Sequence, residues 1–250
     1  MIVLPVTLLP RVLWQHVASW LQGDRAIIHL RATCRWLRRV EIHQLPRHME
    51  CSLTAERLRF VASTLRHLDI RCHKDITNKM IQECVQLEWL DMAWTNVTWF
   101  PSTLRRLGIR GCKSVTNEMV KSCTHLEWLD VERTTVTWFP STLRHLYIRD
   151  RTDVTNEMIQ PCTRLEWLDA INTKITWFPS TLQYLDICCC KDVTNEMIRD
   201  VFQQGRLDWL DATNTKITWF PSTLRRLDIR DRTDITTEML AHLTDCKIIR

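Results

Sequence analysis

The sequence predicts an α/β solenoid, with parallel strands on a concave face and short helices alternating with tight extended turns behind them. Three observations predict it. Ser63, Ser102, Ser141 and Ser180 open the same phrase at intervals of 39 residues, and Ser222 opens it again after 42. Each unit carries two Leu-x-x-Leu-x-aliphatic segments, such as LRRLGI (104–109) and the segment opened by LEWLD (126–130). The 250 residues include four glycines, which counts against doubly wound nucleotide folds and glycine-rich phosphate loops. A coil that returns to a parallel strand on every turn satisfies all three. No turn buries its apolar face alone, so several must stack. Nine strand segments are legible, and CKIIR (246–250) falls in register with LEWLD as a further one.

The two halves of each unit differ in length. From Leu65 to Leu87 is 22 residues, and from Leu87 to Leu104 is 17. The longer half has room for a short outer helix. Thr116, Thr155 and Thr194 are placed to cap it, Glu118, Glu157 and Glu196 to sit in its first turn, and Met119, Met158 and Met197 to point into the core. The shorter half has no such room. Pro101 bars Phe100 from helical geometry, so TWFPST reads as a compact corner with Phe filling the space and Trp99, Trp138, Trp177 and Trp219 covering it. The three extra residues of the last interval lie in RDVFQQG (199–205), which reads as a helix end or surface loop.

Both halves carry the signature of leucine-rich repeats. The longer ones resemble the cysteine-containing class, with Cys112 and Cys190 in the cysteine slot, while His73, Arg151 and Arg232 replace it elsewhere. The shorter ones, with FPSTL leading into the next strand, resemble short LPxSL-type repeats of amoebal proteins. These resemblances cover residues 63–250.

Residues 1–50 form a separate predicted module, with the solenoid over 51–250. In LLPRVLWQHVASWL (8–21), Leu13, Val17 and Leu21 share one helical stripe. With IIHLRATCRWLRRV (27–40), this stretch resembles an F-box, a three-helix module. Val12 stands where that pattern has a polar or acidic residue. An F-box followed by leucine-rich repeats is similar to the substrate receptors of Skp–cullin–F-box ubiquitin ligases. The resemblance implies that Leu9, Pro10, Leu13, Val17 and Leu21 dock on a Skp-type adaptor, and through it a cullin, while the repeats hold a substrate protein. The alternatives are a helical cap on the first repeat, and an interaction scaffold without any link to ubiquitin.

Alternation along the strands places three columns on the inner face. The first holds His67, Trp89, Arg106, Trp128, His145, Trp167, Tyr184, Trp209 and Arg226. From Trp89 to Arg226 these are the candidate substrate-binding residues, because Trp and Arg are the usual interface anchors. The second column is mostly aspartate, from Asp69 and Asp91 to Asp228, and the third carries Arg71, Arg110, Arg149 and Arg230. Asp69–Arg71 and Asp228–Arg230 are placed to compensate each other.

Charge and cysteine usage narrow the classes. Residues 1–62 carry nine arginines and four acidic residues, and the remainder 25 basic and 25 acidic. A neutral repeat region argues against a nucleic-acid groove. Eleven cysteines, three of them consecutive at 188–190, suit no ordinary disulfide framework and point to a reducing compartment, cytoplasmic or nuclear. No CxxC pair, HExxH, GxSxG or GxxxxGK motif is present. The sequence therefore predicts no metal, no cofactor and no enzymatic activity, and no membrane-spanning run.

Overall fold

The computed structural model describes residues 58, 62–203 and 206–250. The predicted F-box module, with Leu9, Pro10, Leu13, Val17 and Leu21, lies outside them. The chain divides into two compact units at Leu104/Arg105.

In the described part of the first unit, a single 3₁₀ turn (Ala62–Thr64) leads into β1 (His67–Asp69). Helix α1 (Asn78–Ile81) and strand β2 (Trp89–Asp91) follow. The strands pair in parallel, with His67 opposite Trp89 and Asp69 opposite Asp91.

The second unit repeats this arrangement. Its strands are β3 (Arg106–Gly108), β4 (Trp128–Asp130), β5 (His145–Tyr147), β6 (Trp167–Asp169), β7 (Tyr184–Asp186), β8 (Trp209–Asp211), β9 (Arg226–Asp228) and β10 (Lys247–Ile249). They form a parallel sheet in sequence order. Every pair aligns the first residue of one strand with the first of the next. The central leucine of β3 to β9, from Leu107 to Leu227, is fully buried behind the sheet. Register is fixed because a one-residue slip would turn these leucines to solvent.

Helices α2 (Asn117–Lys121), α3 (Asn156–Ile159), α4 (Arg199–Gln203) and α5 (Thr237–Leu240) lie only in the longer halves. Two local expectations are corrected. The helical residue in the core is Val120 or Ile159, not the methionine before it. Met119 and Met158 are half-buried, and Met197 is exposed. One apolar position per short helix suffices to face the sheet. Thr77, Thr116 and Thr155 have extended N-cap backbones but no capping hydrogen bond, and only Thr236 accepts one, from the Met239 amide. At Thr155 the hydroxyl instead holds the Glu157 carboxyl below its usual range. Thr194 starts no helix: residues 195–198 form turns, and α4 consists of the first five residues of the predicted insertion, burying Val201 and Phe202.

The TWFPST corner is held by a feature the sequence reading missed. Asn117, the first residue of α2, accepts the backbone N–H of Thr137 at 2.8 Å and of Trp138 at 3.0 Å, and its amide donates to the Thr137 hydroxyl. Asn156 does the same for Thr176 and Trp177, and Asn195 for Thr218 and Trp219. Asn78 serves Thr98 and Trp99 within the first unit. The threonine that follows the proline, Thr142 in the second corner, donates its hydroxyl to the Leu126 carbonyl. Phe139, Phe178 and Phe220 fill the space beneath. Asn117→Ala leaves two turn amides without their acceptor. It should cost about 1–3 kcal/mol in a urea melt, and Asn117→Asp, which keeps the acceptor, should cost less.

Every described strand from β1 to β9 is followed, three residues after its last, by a residue with positive φ. These are Cys72, Trp94, Gly111, Arg133, Asp150, Asn172, Cys189, Asn214 and Asp231, at φ between 53° and 72°. Only one is glycine, although the conformation costs other residues about 1 kcal/mol or more. At Cys72, Gly111, Asp150, Asn172 and Cys189 the turn is maintained because the amide extends the ladder: Asp150 N–H reaches the Ile171 carbonyl, and Cys189 N–H that of Thr213.

Candidate functional site: an aromatic and acidic strand face

Strand alternation turns the first-column side chains outward while the leucine between them goes inward. Among the candidate binding residues, Trp89 lies in the first unit, half-buried beside His67 with ring centroids 6.4 Å apart. The other seven lie in the second unit. Arg106 and Arg226 are exposed, and Trp128, His145, Trp167, Tyr184 and Trp209 are half-buried.

Trp167 and Tyr184 stack with centroids 3.3 Å apart at 5°, and Tyr184 and Trp209 at 3.9 Å and 6°. Parallel strands are spaced by about 4.8 Å, so the rings lean together to close the gap. The Arg226 guanidinium lies 5.8 Å from the Trp209 ring centroid. At the other end His145 stacks on Trp167 at 6.1 Å. Tyr147 joins from the second column, 5.0 Å from Trp128 and 6.3 Å from Trp167. Each such pair contributes about 0.5–1.5 kcal/mol beyond burial. Tyr184 is thereby sandwiched between Trp167 and Trp209. The Trp167 indole N–H is buried with no hydrogen-bond acceptor. Burial also lowers the pKa of His145, favouring the neutral ring.

Beside the rings runs the acidic column. Asp169, Asp186, Asp211 and Asp228 are buried and occupy equivalent places on adjacent strands. In each of β6 to β9 the aspartate accepts the backbone N–H two residues on, as Asp186 does from Cys188 at 3.1 Å and Asp211 from Thr213 at 2.9 Å. The ends of the column are compensated: Arg149 pairs with Asp169 at 2.9 Å and Arg230 with Asp228 at 3.0 Å. The middle is not. Burial, followed by the Asp211 and Asp169 carboxylates, pushes Asp186 up to about 7, against the opposing Cys188 amide. Burial raises Asp211 as well.

Two arginines belong to the frame instead. Arg151 and Arg232 occupy the cysteine slot, and the Arg151 side chain is 4% exposed. Its guanidinium donates to the carbonyls of Val131 at 3.0 Å and Val136 at 2.9 Å, to the Thr134 hydroxyl, and to both oxygens of Asp153. Arg232 repeats this with Ala212, Ile217, Thr215 and Asp234. Cys190 reaches the equivalent groups more simply, its thiol donating to Ala170 at 3.1 Å. The two residue types solve one problem, the free carbonyls of the preceding short turn.

All nine cysteines among the described residues are unbridged. Cys84, Cys123 and Cys162 are buried in the core, where burial drives the Cys84 and Cys162 thiols up to about 12. Among the described residues no three His, Cys, Asp or Glu side chains converge as a metal would require, and no helix is long and apolar enough to cross a membrane.

No protein-family profile matches the sequence, and no curated protein sequence does. The fold has solved counterparts. A leucine-rich-repeat protein of Leptospira interrogans superposes over 84% of this chain at 15% identity, with a TM-score of 0.52, and the chain spans 64% of its length. An internalin of Listeria monocytogenes superposes over 98% of this chain and 79% of its own, at 18% identity and a TM-score of 0.54. Together with the repeat periods and the in-register parallel strands, these likenesses establish the leucine-rich-repeat fold.

Proposed function

We propose that the chain is a protein-interaction module whose strand face in the second unit binds a partner polypeptide. The observation that carries this reading is the run of half-buried rings from Trp128 through Tyr147, Trp167 and Tyr184 to Trp209, bordered by Arg106 and Arg226. A contiguous aromatic patch of this kind is rare on a surface that meets only water, and Trp, Tyr and Arg dominate binding energetics where proteins meet. The ring stacks fix these side chains before binding, which lowers the entropy cost of association. The reading assigns the chain no catalytic step.

A finer form adds the F-box resemblance of residues 8–40. Leu9, Pro10, Leu13, Val17 and Leu21 then dock on a Skp-type adaptor and so on a cullin, and the protein held by the rings is a ubiquitylation substrate. Its support is that sequence stretch alone.

Affinity capture from source cells tests both, comparing the intact chain with Trp128→Ser/Trp209→Ser and with Leu9→Asp/Pro10→Asp, each checked for folding by circular dichroism. The ring variant should lose the captured partner, and the N-terminal variant should lose a Skp-type adaptor. An unchanged set of partners in the ring variant overturns the interaction face. Absence of an adaptor from the intact chain's set removes the ligase form and leaves the interaction module.

A further inference from the structure

The acidic column is compensated over only part of its length. In the first unit the Arg71 guanidinium joins two neighbouring strands. It pairs with Asp69 at 2.6 Å and reaches Asp91 at 3.5 Å. In the second unit Arg149 and Arg230 likewise supply a cation to Asp169 and Asp228. These arginines hold the third-column place after β1, β5 and β9, and Arg110 holds it after β3. At β7 and β8 that position holds Cys188 and Thr213. Asp186 and Asp211 are directly paired across the two strands, 5% and 6% exposed, and neither forms an ion pair among the described residues. Four aspartates in a row thus have two arginines. Cys188 thus stands where the other four longer halves place an arginine, and Thr213 adds no cation. The stacked Tyr184 and Trp209 rings border the same two strands, and Trp209 already carries Arg226 near its face.

We propose that Asp186 and Asp211 form a receptor for an arginine side chain of the partner polypeptide, set beside the Tyr184–Trp209 stack. This deepens the interaction reading and rests on it. A guanidinium is favoured over an ammonium because its planar fork can face two carboxylates at once, as Arg71 faces Asp69 and Asp91. Charge complementarity selects a basic segment over an acidic or neutral one: the column from Asp169 to Asp228, with its two arginines, carries two more acidic than basic groups. Burial of the carboxylates leaves them poorly compensated by water, so an incoming cation meets an unscreened partner. The elevated Asp186 pKa has the same origin.

The test uses the full chain and three labelled octapeptides, alternating glycine with arginine, lysine or glutamate, followed by fluorescence anisotropy and by the tryptophan emission of the stack. The arginine peptide should bind most tightly, with a change in emission. Asp186→Asn/Asp211→Asn should weaken it by about tenfold or more, the loss of roughly one charge-assisted contact. Cys188→Arg should weaken it similarly, because the chain then fills the receptor with its own guanidinium. Asp192→Asn/Glu196→Gln, on exposed residues outside the column, should bind as the intact chain does. Failure of the arginine peptide to bind, or equal binding to the Asp186→Asn/Asp211→Asn variant, overturns the proposal. If that happens while the ring variant still loses its captured partner, the interaction face stands and only the arginine assignment falls.

Discussion

Replacing Arg151 by alanine is expected to destabilise the second unit by about 3–5 kcal/mol, seen as an earlier midpoint in urea denaturation. The side chain is almost wholly buried, and its guanidinium satisfies the Val131 and Val136 carbonyls as well as the Thr134 hydroxyl. Alanine removes these donors at once and leaves two carbonyls and a hydroxyl without their partner. The partner Asp153 is about half exposed, and the arginine holds its carboxyl below the usual range. Asp153→Asn should therefore cost much less, within about 1 kcal/mol. Arg151→Cys makes the slot like that of Cys190, whose thiol donates to the equivalent carbonyl. It should recover about half of the alanine loss. If alanine and cysteine are equally damaging, the slot needs the guanidinium's reach; if both are harmless, the buried network contributes nothing to stability.

Asp186→Asn is expected to stabilise the fold at neutral pH by more than at acidic pH. The folded carboxyl ionises at about 7, raised first by burial and then by Asp211 and Asp169, with Arg149 and the Cys188 amide opposing. In the unfolded chain an aspartate ionises near 3.9. Between these values the folded state holds the proton and the unfolded state does not. Stability is therefore full below about pH 4 and is lost as pH rises towards and through 7. The rise corresponds to at most about 4 kcal/mol at about 1.4 kcal/mol per tenfold change. Asp130 and Asp211, also raised by burial, add to the same trend. Thermal melts between pH 5 and pH 8, a range the linkage argument selects, should show the stability difference between Asp186→Asn and the intact chain widening as pH rises. A constant difference would mean that Asp186 is ionised throughout.

These two residues show where sequence reasoning stops. Arg151 was legible only as a departure from the cysteine slot. Its role depends on carbonyls 15 and 20 residues earlier in the chain, and no local pattern states that distance. The Arg151-x-Asp153 and Arg232-x-Asp234 spacings were the available signal. The aspartate column was legible as a column, and the Asp69–Arg71 and Asp228–Arg230 compensation is present. Its uncompensated centre emerges only when strand register sets Asp186 against Asp211.

The sequence by itself determined the repeat, its two half-lengths, the inward leucines, the corner at each Phe-Pro and the order of side chains along each strand. Those follow from periodicity, because a strand has two faces and an apolar residue can occupy only the dry one. The tertiary structure decided what neighbouring turns do to one another: which rings stack, which asparagine holds which corner, which short turn consumes a guanidinium, and which two carboxylates are left without one. Such outcomes depend on distances of 3–4 Å between residues some 15–25 positions apart. A solenoid creates those distances only when it closes each turn on the next.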